Sequence, residues 1–162
     1  MTVALYATIW LALALLVVAE LGKRRAGAAL ASGWAWRTFA AGALLCLVHM
    51  ALAFHLRHGW SHAAASAHIA RRTEELFALR WTGGIWINYA FAGVWFVEAL
   101  WWRLDPASYA RRPHALVWLV RSFQFVVIVN AALVFASAAG RLAGAPLVTA
   151  LAWIWRPADS RP

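Results

Sequence analysis

Five of the six histidines fall within one stretch, HMALAFHLRHGWSHAAASAH: His49, His55, His58, His62 and His68. Imidazole is the commonest metal ligand and the side chain whose charge changes nearest neutral pH. If the helix carrying His55 continues, His55, His58 and His62 stand at i, i+3 and i+7, on one helical stripe. That spacing predicts a metal set of His55, His58 and His62, suited to copper, zinc or iron rather than to calcium or magnesium, which take oxygen. Glu74 and Glu75 are carboxylates within reach of the same loop, and His68 lies on another face. The plainer alternative is that His58, His62 and His68 are solvated interfacial residues and that His55 caps a helix end.

Other chemistries fit less well. Membrane desaturases and hydroxylases use boxes with paired histidines, whereas this chain has a single HxxxH, His58 and His62. A haem held by two histidines needs facing helices with ligands at one depth; the helix expected next has no histidine, and His114 starts a helix at the opposite face. Ligation by two histidines would need an odd geometry, such as His49 with a loop histidine folding back; the other option is a haem on His49 or His55 alone. A further reading is a polar, outward-opening cavity with His49, His55, Asn88 and Tyr89 as cofactor-binding groups and Asn130 beside them. Interhelical hydrogen bonding as packing glue is its alternative.

These residues must be positioned by membrane helices. The chain is 64% hydrophobic and 13% charged, outside the range of a soluble domain. Apolar runs near 3–21, 36–56, 84–102 and 115–139 have about the 20 residues a hydrocarbon core of roughly 30 Å demands. Backbone groups in lipid must be satisfied internally, and no alternating barrel pattern is present. The expected class is an all-α integral membrane protein in one domain. It has four transmembrane helices, an outer loop over 57–83 and a short interfacial helix over 147–155, which follows Gly144 and Pro146 and is too short to span.

The first run lacks the basic leading region of a secretory signal; its cluster Lys23-Arg24-Arg25 follows the apolar stretch. It reads as an uncleaved span with the N-terminus outside, which puts Lys23, Arg24, Arg25, Arg37, Arg103, Arg111, Arg112 and Arg121 inside. Arg57, Arg71, Arg72, Arg80, Arg141, Arg156 and Arg161 then fall outside, a weak bias. Two tryptophan belts are expected at the headgroup levels, Trp34, Trp36, Trp101, Trp102 and Trp118 in one, Trp60, Trp81 and Trp86 in the other. A stacking role for one of them toward a pigment or quinone is the lesser alternative. The lone cysteine, Cys46, excludes an internal disulfide and an iron–sulfur cluster. The net charge of +9 is spread along helix borders, which suits anionic lipid rather than nucleic acid. Charges inside the spans need partners; Glu98 and Arg121 lie about 6–9 Å deep from the same end and are expected to pair, with Gln124 joining them.

The run FHLRHGWSHAAA, followed by WTGGIWINYAF and VEALWW, resembles a group of short bacterial four-span membrane proteins that carry no assigned activity. The shared positions are His55, His58, Trp60, Ser61, His62, Trp81, Gly83, Gly84, Asn88, Tyr89, Trp101 and Trp102. The resemblance covers roughly residues 49–102 and implies an architecture. Read by itself, Gly83-Gly84 is a tight turn that brings Asn88 and Tyr89 beneath the histidines.

Two function classes follow. One is a metal- or haem-binding protein at the outer face of the inner membrane, handling copper or electrons as a redox or metal-handling subunit. The other is a non-catalytic accessory subunit without cofactor, packed against other membrane proteins of a larger complex.

Overall fold

Long apolar runs punctuated by basic clusters, glycine and proline dictate a helical bundle, and the computed structural model describes one over residues 2–26 and 33–156. The elements are α1 (Thr2–Ala26), α2 (Gly33–Ala53), α3 (His62–Phe77), α4 (Gly84–Leu104), α5 (Pro106–Ala110), α6 (His114–Val129) and α7 (Ala138–Trp155). α2 and α6 each end in a π-helical turn, Phe54–His58 and Asn130–Val134. No strand occurs among the described residues.

Three helical segments are long and apolar enough to cross a membrane: Val3–Arg25, Gly33–His58 and His114–Val134. α4 has comparable length at 21 residues, but Asn88, Glu98 and its tryptophans dilute its hydropathy. The sequence places a fourth span over 115–139 and a short interfacial helix over 147–155. Instead α6 and its π turn end at Val134, and 147–155 is the second half of the 18-residue α7. Pro146 sits inside that helix. Gly144 permits its close approach to the α6 extension, because a Cβ there would lie 2.6 Å from the Ala132 carbonyl oxygen.

The five long helices run alternately up and down. α1 packs on α2 and α7, α2 on α4, and α6 on both α4 and α7. Leu16, Phe39, Trp95, Ile128 and Leu151 are fully buried between them. Trp102, expected in a belt, is a core residue, as are Trp95 and Trp155; aromatic rings of this size supply much of the apolar area a small bundle can bury.

Each end of the bundle carries one group of polar residues. The "basic end" gathers the C-termini of α1, α4 and α7 with the N-termini of α2 and α6. The "histidine end" gathers the opposite termini and α3. Because α7 runs back, Arg156 belongs to the basic end, where Arg24 donates to the carbonyls of Trp153 and Ile154 at 2.8 and 2.6 Å. Lys23, Arg24, Arg25, Arg37, Arg103, Arg111, Arg112, Arg121 and Arg156 thus collect at one end, against Arg57, Arg71, Arg72, Arg80 and Arg141 at the other. Arg161 lies outside the described residues.

Candidate functional site

The expected outer loop is mostly helix, and its geometry decides where the histidines go. The π turn of α2 ends at His58, and Gly59 and Trp60 both adopt left-handed backbone, φ 53° and 62°. Trp60 N–H donates to the Phe54 carbonyl at 3.0 Å, and Ser61 N–H to that of His58 at 2.9 Å. The Ser61 hydroxyl then accepts from the Ala64 N–H at 3.2 Å as the N-cap of α3. The chain therefore turns a corner inside the motif HGWSH, and the helical stripe is cut between His58 and His62.

The expected metal set is accordingly dispersed. The His55 ring lies 6.2 Å from the Trp60 ring. The His58 ring faces His68 at 5.5 Å between centroids. His62 shares a 3.0 Å hydrogen bond between Nδ1 and the Tyr89 hydroxyl, with its ring 5.3 Å from that of Trp86. Among the described residues no three histidine, cysteine or acidic side chains come together as a metal group. Glu75 pairs with Arg72 instead of joining the histidines. His68 is held below the usual imidazole range, first by burial and then by Arg71, Arg57 and Arg72, with Glu75 opposing. The same guanidinium groups repel a cation at the His58–His68 pair.

The predicted cavity is present with altered membership. A cavity of about 240 Å³ is lined by Cys46, His49, His58, Asn88 and Tyr89 among apolar walls that include Leu13, Phe54, Phe91 and Ile128. His55 is exposed and outside it. Asn130 lines a neighbouring cavity of about 520 Å³ with Asn88 and His68; its own amide donates to the Val126 carbonyl at 2.8 Å. His49 Nδ1 lies 2.9 Å from the Leu5 carbonyl, which can only accept, so Nδ1 carries the proton and Nε2 keeps its lone pair. Phe54 stacks on Trp60 and on Tyr89, 29° and 25° from parallel at 6.3 and 6.2 Å. Both π-helical turns border this region, and such turns recur at functional sites. The Gly83-Gly84 turn serves by close approach, since a Cβ on Gly84 would meet the Ile69 side chain at 2.6 Å.

At the basic end the expected Glu98–Arg121 pair is replaced by a larger network. Glu98 pairs with Arg112, from the segment after α5, while Arg121 lies 3.6 Å from Glu20. Glu20 also accepts from Lys23 at 2.5 Å and from the Trp155 indole at 2.7 Å. Lys23 donates to the Tyr109 hydroxyl at 2.9 Å, and that hydroxyl donates to Glu98 at 3.3 Å. Gln124 donates to Glu98 at 3.4 Å. Lys23 further sits 3.7 Å from the Phe39 ring centroid, a cation–π contact strengthened by burial. Burial raises the Tyr109 phenol above its usual range, so it stays protonated. Glu20, Lys23, Tyr109, Arg112 and Trp155 were absent from the sequence-based site. The available signal was Glu20, the one acidic residue in the first apolar run, three residues before Lys23 and thus on its face.

Comparison with known proteins finds no matching family model, no matching curated protein and no matching solved structure.

Proposed function

We propose that this chain is a multi-pass protein of the bacterial inner membrane that binds a small planar molecule in the cavity at its histidine end. The class is a substituted aromatic or quinonoid ring, apolar on its faces and hydrogen-bonding at its edge. The observation that carries the reading is the lining itself: His49, with Nε2 free to accept, and Asn88 and Tyr89 stand in one cavity of about 240 Å³ with aromatic walls. Binding sites for small molecules combine an apolar concavity with a few convergent polar groups in this way. The volume lies below the roughly 300–1,000 Å³ typical of drug-sized ligands, which favours one ring over a macrocycle such as haem. Five crossing helices are inferred, with the N-terminus and the histidine end outside, because nine of the described basic residues then face the cytoplasm and five do not.

The metal-handling reading is second. Its support is the His58–His68 pair, whose 5.5 Å ring separation suits two imidazoles on one ion at nitrogen–metal bonds of about 2.0–2.1 Å. The surrounding arginines weigh against it. In the third reading, an accessory subunit, the cavity is packing space only.

The test is titration of the detergent-purified protein with a short-chain quinone, beside an absorption spectrum and metal analysis. Saturable binding, lost in His49→Leu and Asn88→Leu, is expected. Stoichiometric copper or zinc lost in His58→Ala would install the metal reading, and a Soret band would install haem. Neither metal, haem nor quinone binding, with a stable larger assembly on sizing, would leave the accessory role.

A further inference from the structure

The basic end carries a further cavity, of about 340 Å³, lined by Lys23, Arg24, Arg112, Arg121 and Arg156 against Glu20 and Glu98. Five cations face two carboxylates, a surplus of three positive charges. The carboxylates are already engaged: Glu20 by Lys23, Trp155 and Arg121, and Glu98 by Arg112, Tyr109 and Gln124. Donors therefore exceed acceptors. Arg112 has a side chain only 9% exposed, and its Nε is buried with no hydrogen-bond partner among the described residues. A buried unpaired donor on a charged group is costly, and this one belongs to a residue in the cavity wall. Arg156 is exposed at the cavity rim and lies 5.2 Å over the Trp153 ring, with no carboxylate partner among the described residues. Val117, Val120 and Ile154 complete the wall with apolar surface.

We infer that this cavity is a binding site for a phosphate-bearing anion, with Arg112, Arg121 and Arg156 as its donors. Guanidinium groups match phosphate oxygens with paired N–H bonds, and a phosphate carrying one to two negative charges offsets part of the surplus. The cavity opens where the cationic border of the bundle lies, so the phosphate arrives either on a phospholipid headgroup or free in solution. Anionic lipid also collects loosely around any basic border; a built site differs by saturating at one molecule per chain.

The experiment measures lipid retained by the detergent-purified full chain after incubation with phosphatidylglycerol or phosphatidylcholine vesicles, by native mass spectrometry, with a parallel calorimetric titration by inorganic phosphate. One phosphatidylglycerol per chain, retained about tenfold over phosphatidylcholine, identifies the lipid source. Stoichiometric phosphate binding without that preference identifies the free anion. In either case Arg156→Gln, at an exposed position that leaves the buried network intact, weakens binding by about tenfold, the loss of one charge-assisted hydrogen bond. Arg121→Gln weakens it likewise, and melting curves report whether that variant stays folded. Equal retention of both lipids with no phosphate binding overturns the inference, as does full binding by Arg156→Gln.

Discussion

The Lys23 ammonium and the Tyr109 hydroxyl meet at 2.9 Å although 86 positions separate them in the chain. Through that bond the end of α1 is tied to the short helix α5, and through Tyr109 to Glu98 of α4. Tyr109→Phe should therefore destabilise the bundle by about 1–3 kcal/mol, because a buried ammonium loses an acceptor and a buried carboxylate a donor. Thermal unfolding in detergent measures it; an unchanged midpoint would show that the contact contributes nothing.

The two carboxylates have separate guanidinium partners. Glu98→Gln and Arg112→Gln should each cost about 3–5 kcal/mol, with the double variant recovering part of the loss. A Glu20→Gln/Arg121→Gln cycle should also show coupling, while Glu98→Gln and Arg121→Gln should be closer to additive. Strong coupling of Glu98 with Arg121 alone would restore the pairing that depth in the sequence suggested.

Topology separates five crossing helices from four. In a Cys46→Ala background, cysteines at the exposed positions 63, 107 and 156 are treated with an impermeant thiol reagent in cells with a permeable outer layer. Ala63→Cys should react directly, and Ala107→Cys and Arg156→Cys only after lysis. Arg156→Cys reacting together with Ala63→Cys would mean that α7 does not cross.

Ala78 closes α3 with φ 53° and ψ 24°, a left-handed conformation that costs a residue with a Cβ roughly 1–2 kcal/mol. Ala78→Gly should raise stability, by up to about 1 kcal/mol after the added flexibility of the unfolded chain is counted. Equilibrium unfolding checks the sign.

His68 supplies a pH dependence. Its folded pKa lies below the ordinary 6.5, so the unfolded chain binds more protons near that value, and stability falls as pH drops through it. Melting curves between pH 8 and 5 should show this loss, and His68→Gln should flatten it. A slope of the opposite sign would mean that the imidazolium is stabilised in the fold, against the surrounding arginines.

Sequence showed most of the helices and part of the cavity, and specific residues explain what stayed hidden. Run length alone marks α1 and α2, and Asn88, Tyr89 and His49 share a cavity because the Gly83-Gly84 turn returns the chain as expected. His62 leaves the stripe because the helix does not continue past His58; two left-handed residues, Gly59 and Trp60, sit where the stripe requires helix. α3 reads as a loop in the sequence because its buried face is small, Ala65, Ala70 and Thr73, and small residues give little hydrophobic contrast. α7 reads as short because Gly144 and Pro146 look like breakers, yet both lie within the helix, where Gly144 packs on Ala132. Depth in the two helices bearing Glu98 and Arg121 does not show the Glu20 network, since Glu20, Lys23, Tyr109, Arg112 and Trp155 all lie outside α4 and α6.

The π turn at Phe54–His58 is also a matter of register. A turn closed over five residues holds one more than an α-turn does, so it is an α-helix with a single residue to spare. Were the same residues wound as regular α-helix, the surplus one would rotate all that follows by about 100°. His58 would swing away from the cavity, and the corner that launches α3 would point along a different side of the bundle. The direction of α3, and with it the His62–Tyr89 hydrogen bond, is set by one surplus residue.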